Sequence, residues 1–230
     1  MDIRSNLEYI TDRIREAAEL SGRKAGDIKI VAVTKTVDVG SIRQAFELGI
    51  SSIGENRVQE MLKKHESLKQ YPLEWHMIGH LQRNKVKYII DKVALIHSVD
   101  TAALAREINR RAILKNIKAE VLLQVNVSGE ESKFGLNPDQ ITVFMEQVTD
   151  LQNVHIRGLM TIAPYTDNPE EARAVFAKLR EVFEEIRAAK YPGVDMDFLS
   201  MGMTGDYAVA VEEGANIVRI GTGIFGRRRM

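Results

Sequence analysis

The chain has 230 residues, of which 44% are hydrophobic and 28% are charged, a composition typical of globular proteins. Its 32 basic and 32 acidic residues balance, which argues against a nucleic-acid partner because such partners favour an excess of positive charge. Cysteine is absent, which excludes disulfides, thiolate metal sites and a cysteine nucleophile.

The N-terminal segment predicts an amphipathic helix. Leu7, Ile10 and Ile14 recur at helical spacing, and Gly22 ends the pattern. The segment is acidic and has no signal-peptide core, and no apolar run in the sequence approaches the ~20 residues that span a bilayer. We therefore expect a cytoplasmic protein without a membrane partner.

After this helix, short β-forming runs alternate with amphipathic segments eight times. Such alternation is typical of parallel βα units. The predicted strands are Ile28–Thr34, Ser52–Gly54, Glu74–Ile78, Ala94–Ser98, Glu120–Val127, Ile156–Thr161, Asp197–Ser200 and Ile217–Gly221.

Eight βα units predict an α/β protein with the (β/α)8 TIM-barrel fold, as a single domain over residues 1–230 with an extra N-terminal helix. Barrels of this kind typically have about 250 residues, so the length is adequate. A doubly wound open sheet is the alternative. It would carry a glycine-rich fingerprint after its first strand, and the sequence has none there.

Lys35 closes the first predicted strand. Val31, Val33 and Lys35 share one strand face, so Lys35 lies at the barrel mouth if that face is internal. Partial burial would lower the pKa of its amine and favour the neutral nucleophile that forms an imine with an aldehyde. The alternative is a strand-end lysine that only reaches solvent.

Arg219 lies inside the strongly β-forming run Ile217–Gly221. Val218 and Ile220 suit the layer under the helices, which directs Arg219 into the barrel. A buried guanidinium is costly unless its hydrogen bonds are accepted. Its partner is therefore either an internal carboxylate or a bound acceptor.

Two glycine-rich loops, Ser200–Asp206 and Gly221–Gly226, follow the seventh and eighth predicted strands. These are the loops that form the common phosphate site of barrels. Each loop alone could simply be a turn in which glycine supplies a positive φ. Together they indicate a phosphate site.

The histidines are weaker candidates. His80 ends the third predicted strand and lies either beside a ligand or in an unremarkable loop, and His97 is expected to be structural. No histidine pair has zinc-motif spacing, so we predict no metal.

Seven motifs, spread from the first strand to the last, resemble those of the pyridoxal-phosphate homeostasis proteins. That family resembles the N-terminal barrel of alanine racemase, which is pyridoxal-phosphate fold type III. The motifs are Val31–Thr36 (VAVTKT), Gly54–Glu60 (GENRVQE), Trp75–Lys85 (WHMIGHLQRNK), Ser132–Gly135 (SKFG), Gly158–Pro164 (GLMTIAP), Ser200–Asp206 (SMGMTGD) and Val218–Gly226 (VRIGTGIFG).

The resemblance implies a binding site for pyridoxal 5′-phosphate (PLP). It implies that Lys35 holds the cofactor covalently as a Schiff base and that Arg219 hydrogen-bonds the pyridine nitrogen. It further implies that Asn56 flanks the cofactor ring.

The resemblance also implies that Ser200, Gly221 and Thr222 hold the cofactor phosphate. Thr204 stands where members of the family often have serine, and the hydroxyl is kept.

The function implied is buffering or delivery of PLP in vitamin B6 homeostasis, without a dedicated substrate. Arginine offers only donors, so Arg219 favours an unprotonated ring nitrogen and a weak electron sink. Only a short tail follows Gly221, so we expect none of the additional domain that supplies a second base in racemases. We therefore expect a non-catalytic carrier.

Two rival functions remain open. One is a minimal amino-acid racemase or other Schiff-base lyase, and the other is an aldolase or isomerase of a phosphorylated sugar. The expected partners of a carrier are PLP itself and PLP-dependent enzymes in their apo form. Lys133 is a candidate transient second acceptor of PLP, or else a solvated loop lysine. Without long hydrophobic edges, the protein is expected to be a monomer.

Overall fold

The computed structural model describes residues 2–130 and 133–226. Eight parallel strands close into one barrel in chain order, with the first strand paired to the last. The strands are β1 (Lys29–Val33), β2 (Ser52–Glu55), β3 (Glu74–Met77), β4 (Leu95–Val99), β5 (Ala119–Gln124), β6 (Val154–Met160), β7 (Val194–Ser200) and β8 (Ile217–Ile220). The predicted TIM-barrel fold is confirmed.

Helices follow the strands and cover the barrel. They are α1 (Ile3–Leu20), α2 (Val39–Glu47), α3 (Val58–Ser67), α4 (Val86–Ile89), α5 (Ala102–Lys115), α6 (Ile141–Val148), α7 (Arg173–Ala189), α8 (Tyr207–Glu212) and α9 (Thr222–Phe225). In the part of the chain described, no helix is both long and apolar enough to cross a membrane.

The additional helix α1 precedes β1, as the sequence predicts. It begins at the N-cap Asp2, whose carboxylate accepts the Ser5 N–H at 2.8 Å. Asn6 donates to the Ile224 carbonyl at 2.9 Å, which ties α1 to the turn after the last strand. The helix therefore packs behind the glycine-rich loops that close the barrel.

The strands separate two apolar layers. Val31 and Ile217 belong to an inner cluster with residues of β4, β5 and β6, whereas Val218 and Ile220 belong to the larger layer under the helices. The predicted inward faces of β1 and β8 are therefore confirmed, which directs Arg219 into the barrel.

The predicted fifth strand is too long. It was expected to reach Val127, but β5 ends at Gln124 because Leu136 returns to pair with Val125 through one isolated bridge. The Asn126 amide then donates to the Glu130 carbonyl at 2.9 Å, which turns the chain away from the sheet. The predicted SKFG motif starts at Ser132, which lies outside the described residues.

Candidate functional site

Lys35 lies two residues after the end of β1, at the carboxyl end of the barrel. It lines a polar cleft of about 130 Å³ together with Val33, Gly221 and Thr222. The structure thus brings together three of the residues predicted to bind a ligand, from the first and last strands. The sheet explains this proximity, because β1 and β8 pair in the register Val31 to Arg219.

Arg219 is buried inside the barrel, with only 4% of its surface exposed. Its Nη1 donates to Ser200 Oγ at 2.6 Å, and its Nη2 donates to the Thr161 carbonyl at 2.7 Å. The charge of Asp206 acts on this guanidinium, although within residues 2–130 and 133–226 no carboxylate forms an ion pair with it. Burial lowers the pKa of Arg219 to about 10, which still leaves it charged at neutral pH.

Two buried histidines continue the contacts of Arg219 across the barrel. His97 Nδ1 lies 2.9 Å from Ser200 Oγ, and His97 Nε2 lies 2.8 Å from His76 Nδ1. Burial lowers the pKa of His76 to about 4 and that of His97 well below its ordinary value, so both rings are neutral. We call His76, His97, Ser200 and Arg219 the inner network.

Arginine only donates, so the Ser200 hydroxyl accepts a hydrogen bond from Arg219 Nη1. This hydroxyl keeps one donor and a second acceptor position, so it can either donate to His97 Nδ1 or accept from it, depending on the tautomer of His97. The tautomer of His97 in turn fixes that of His76, because His97 Nε2 and His76 Nδ1 share one proton between them.

The inner network ends at the opposite end of the barrel. His76 Nε2 faces Glu74 Oε2 at 3.7 Å, beyond hydrogen-bond length. The same carboxylate oxygen accepts from Lys29 Nζ at 2.6 Å and from Ser52 Oγ at 2.9 Å. The inner network therefore extends from the guanidinium near the mouth to His76, whose Nε2 is buried without a hydrogen-bond partner among the described residues.

Thr204 and Thr222 join the two glycine-rich loops at the mouth. The Thr222 hydroxyl donates to Thr204 Oγ1 at 3.3 Å, and the Gly223 N–H donates to the same oxygen at 3.1 Å. A hydroxyl has two acceptor positions and one donor, so the proton of Thr204 is left for a further acceptor. The pair is suited to an anion that offers oxygen atoms.

Ser200, which is predicted to hold the phosphate with Gly221 and Thr222, lies deeper in the barrel than those two residues. Its register partner across β7 and β8 is Ile217, four residues before Gly221. At about 3.3 Å per residue, Ser200 lies roughly 13 Å deeper along the strand direction. Its hydroxyl is fully buried and already bonded to Arg219 and His97.

Asn56 lies at the end of β2, and its Oδ1 is buried without a hydrogen-bond partner among the described residues. A side chain at Gly79 would put its Cβ only 2.4 Å from the Asn56 carbonyl oxygen, so glycine is required for this close approach. Burying an oxygen without a hydrogen-bond partner costs free energy. Asn56 Oδ1 is therefore a candidate contact for a ligand.

His80 forms a separate aromatic contact on the rim. Its ring stacks on Phe134 with centroids 4.0 Å apart, and its Nδ1 lies 3.6 Å from Asp100 Oδ2.

His97 is buried in the barrel and also contacts Ser200, a contact that the sequence analysis did not predict. The position of His97 on the same strand face as the inward-facing Leu95 could have indicated that it points into the barrel.

Comparison with known proteins supplies the family. The profile of the alanine racemase N-terminal domain matches residues 5–229. The pyridoxal phosphate homeostasis protein of Aquifex aeolicus is 48% identical over 229 residues, covering 100% of both chains. That of Pseudomonas aeruginosa is 39% identical over 226 residues, covering 98% of this chain and 96% of the relative.

A solved structure agrees. PipY of Synechococcus elongatus with PLP bound superposes with a TM-score of 0.82 at 37% identity, covering 93% of this chain and 100% of PipY. The chain therefore belongs to the alanine racemase N-terminal domain family and, within it, to the pyridoxal phosphate homeostasis proteins.

Proposed function

We propose that the protein binds PLP at the barrel mouth and buffers or delivers this cofactor. The observation that carries the proposal is the shared cleft of Lys35, Gly221 and Thr222, above the inward-pointing Arg219. The names of the relatives and the PLP bound to PipY support it. When bound, the cofactor supplies an aldehyde to which a lysine amine adds.

Lys35 is the residue proposed to form the covalent bond to the cofactor. It follows β1, and Val33, which lies two positions before it on the predicted inward face of the strand, lines the same cleft. The amine therefore starts from a tight turn that directly follows the strand. This origin limits the positions that its nitrogen can reach.

Arg219 is proposed to donate to the pyridine nitrogen. Two of its five N–H groups are bound by Ser200 and Thr161, which fixes the plane of the guanidinium and leaves other donors for a ligand. The proposed flanking residue, Asn56, offers its unpartnered Oδ1 at the same end of the barrel. The remaining N–H donors of Arg219 thus fit a ring that has an acceptor nitrogen, and Asn56 Oδ1 would accept a hydrogen bond from the ligand.

The phosphate contacts are proposed for Thr204, Thr222 and Gly221. Thr204 replaces Ser200 in this role, because its hydroxyl lies beside Thr222 and has a proton left to donate. Neutral hydroxyl and backbone donors of this kind are common phosphate ligands.

A non-catalytic role is proposed from the chemistry of Arg219. A guanidinium cannot pass a proton to the ring nitrogen, so it keeps that nitrogen unprotonated. The cofactor is then a weak electron sink, which suits storage better than turnover.

The expected form is a monomer, which a light-scattering mass measurement tests.

The experiment mixes the PLP-loaded protein with an apo PLP-dependent enzyme and a trap for free cofactor. Direct delivery predicts reactivation faster than spontaneous release. Reactivation abolished by the trap leaves a passive reservoir. A colourless protein that takes up no PLP contradicts the proposal, and steady turnover of an amino acid favours the racemase or lyase alternative instead.

A further inference from the structure

Thr36, the residue after Lys35, has a left-handed backbone with φ of 62°. This conformation is unfavourable for a β-branched residue and is ordinarily taken by glycine or asparagine. The other non-glycine residues with positive φ are Asn116 and Lys190, which cap the ends of α5 and α7. That is the usual place for such a conformation, so Thr36 is the exception within the described part of the chain.

The strain falls inside a tight turn that contains Lys35. The Val37 N–H donates to the Thr34 carbonyl at 2.9 Å, so Lys35 and Thr36 occupy the two central positions of the turn. The Thr36 N–H donates to Glu60 Oε1 at 2.5 Å. A carboxylate on α3 therefore holds the strained residue directly.

Lys64 is the centre of the same contacts. Only 8% of this residue is exposed, and its Nζ donates to Glu55 Oε1 at 2.8 Å and to Glu60 Oε1 at 2.7 Å. Its third hydrogen bond, at 2.6 Å, goes to the Thr34 carbonyl. All three N–H donors are used, so Lys64 is not itself a nucleophile.

Glu55 completes the arrangement from β2. Its side chain is fully buried, and its Oε1 also accepts the Thr34 hydroxyl at 2.7 Å. One ammonium and two carboxylates thus bind the backbone or side chain of the residues on both sides of Lys35. We call Glu55, Glu60 and Lys64 the clamp.

A salt bridge that only docks α3 against the barrel would need no contact with this turn. The clamp instead binds the Thr34 carbonyl and the Thr36 N–H, the main-chain atoms that fix where Lys35 starts. Backbone strain that is held by surrounding contacts is characteristic of functional sites.

We propose that the clamp is a positioning device for Lys35. Glu60 and Lys64 hold the turn in its strained form, and this form directs the Lys35 amine toward the cofactor aldehyde. The inference rests on the proposed function, because it presumes that Lys35 bonds to PLP. None of the three clamp residues is among those that line the cleft containing Lys35, Gly221 and Thr222.

The first test needs no cofactor. In the apo-protein, hydrogen exchange of the Thr36 amide should be at least about tenfold faster in Glu60→Met than in the wild type, because the bond that protects it is lost. Glu66→Met is the matched control, since Glu66 is an exposed residue of α3 paired only with Lys69 among the described residues. Equal exchange in Glu60→Met and wild type would overturn the clamp.

The second test measures covalent capture of PLP by apo-protein from its absorbance. Glu60→Met should slow capture by about 10- to 100-fold, because misplacement of a reacting group has effects of this size. Glu60→Gln retains an oxygen that can accept the Thr36 N–H and should stay within about threefold of the wild type. Wild-type capture by Glu60→Met would refute the positioning role.

Rescue distinguishes strain from general damage. Glycine takes a positive φ without help, so Thr36→Gly should restore most of the capture rate in the Glu60→Met background. If Glu60→Met alone does not fold, this double variant still decides, since failure to restore folding and capture contradicts the proposal. Absence of capture by the wild type would instead remove the proposed function and leave the exchange result standing.

Discussion

The clamp and the inner network each hold one basic region of the site in place, but they use different kinds of side chain. The clamp holds a lysine turn with three ionisable groups on the helix side of β1 and β2. The inner network holds a guanidinium with a hydroxyl and two neutral imidazoles inside the barrel. One is an assembly of charges, and the other is a series of dipoles.

The presence or absence of an ion-pair partner accounts for the difference. Lys64 reaches Glu55 and Glu60 together, so its ammonium is paired where water is excluded. Inside the barrel no such balance is present for His76 and His97, and burial keeps them neutral. A site can therefore be positioned by charges or by dipoles. Removing one member should lower the free energy of unfolding by a different amount in each case.

The largest effect is expected from Lys64→Met. This change leaves Glu55 buried and close to Glu60 without a cation, and breaking a buried pair in this way costs about 3–5 kcal/mol. The free energy of unfolding, measured with urea at pH 8, should fall by that amount. Lys69→Met is the control, because its ion pair with Glu66 is exposed and should leave stability nearly unchanged. A similar result for both variants would show that Lys64 does not pair with the buried carboxylates as described.

The next effect is a pH dependence from the inner network. The folded pKa of His76 is about 4, below its ordinary value of 6.5, so the unfolded state binds more protons between these values. The stability this histidine contributes is therefore complete above pH 6.5 and is lost as pH falls toward 4, by about 3 kcal/mol. The His76→Gln variant should show a flatter decline in free energy of unfolding over this range. Parallel declines in both proteins would count against a neutral buried His76.

A smaller effect is expected from Ser200→Ala. It removes the acceptor for Arg219 Nη1 and the hydrogen-bond partner of His97 Nδ1, and an unsatisfied buried group costs about 1–3 kcal/mol. The absorbance of bound PLP should shift because Arg219 is no longer fixed, while the affinity for inorganic phosphate should stay unchanged. Loss of phosphate affinity in this variant would restore Ser200 as a phosphate ligand.

The smallest effect on stability is expected from Thr204→Ala. Its hydroxyl lies at the mouth, and its loss should weaken PLP binding by about tenfold, the size of one hydrogen bond to a charged group. Titration of apo-protein with PLP measures this, and urea unfolding should show little change. Together with Ser200→Ala, the variant separates the two layers of the site.

The strands and the inward direction of Arg219 could be predicted because both depend on alternation within one segment. Val218 and Ile220 are apolar and stand on either side of Arg219 in the strand. This alternation indicates that the two apolar residues face the layer under the helices and that Arg219 faces the opposite way. The roles of Ser200 and Thr204 could not be separated, since they depend on the stagger of β7 against β8, which pairs Ser200 with Ile217. No local pattern encodes that register.

The clamp was missed for a related reason. Lys64 and Thr34 are distant in sequence and meet only because α3 packs behind β1 and β2. The sequence does not single out Lys64, and nothing near Thr36 signals a left-handed backbone. Contacts between successive βα units decide the clamp, and these contacts require the packing of α3 against β1 and β2.

The most direct test of the central claim is reduction of the PLP-loaded wild-type protein with borohydride, followed by peptide mapping. The account predicts a pyridoxyl group on Lys35, since this amine starts from a clamped turn beside the proposed phosphate loops. The unloaded protein, treated in the same way, should show none. A pyridoxyl group found mainly on Lys133 or on another lysine would contradict the account.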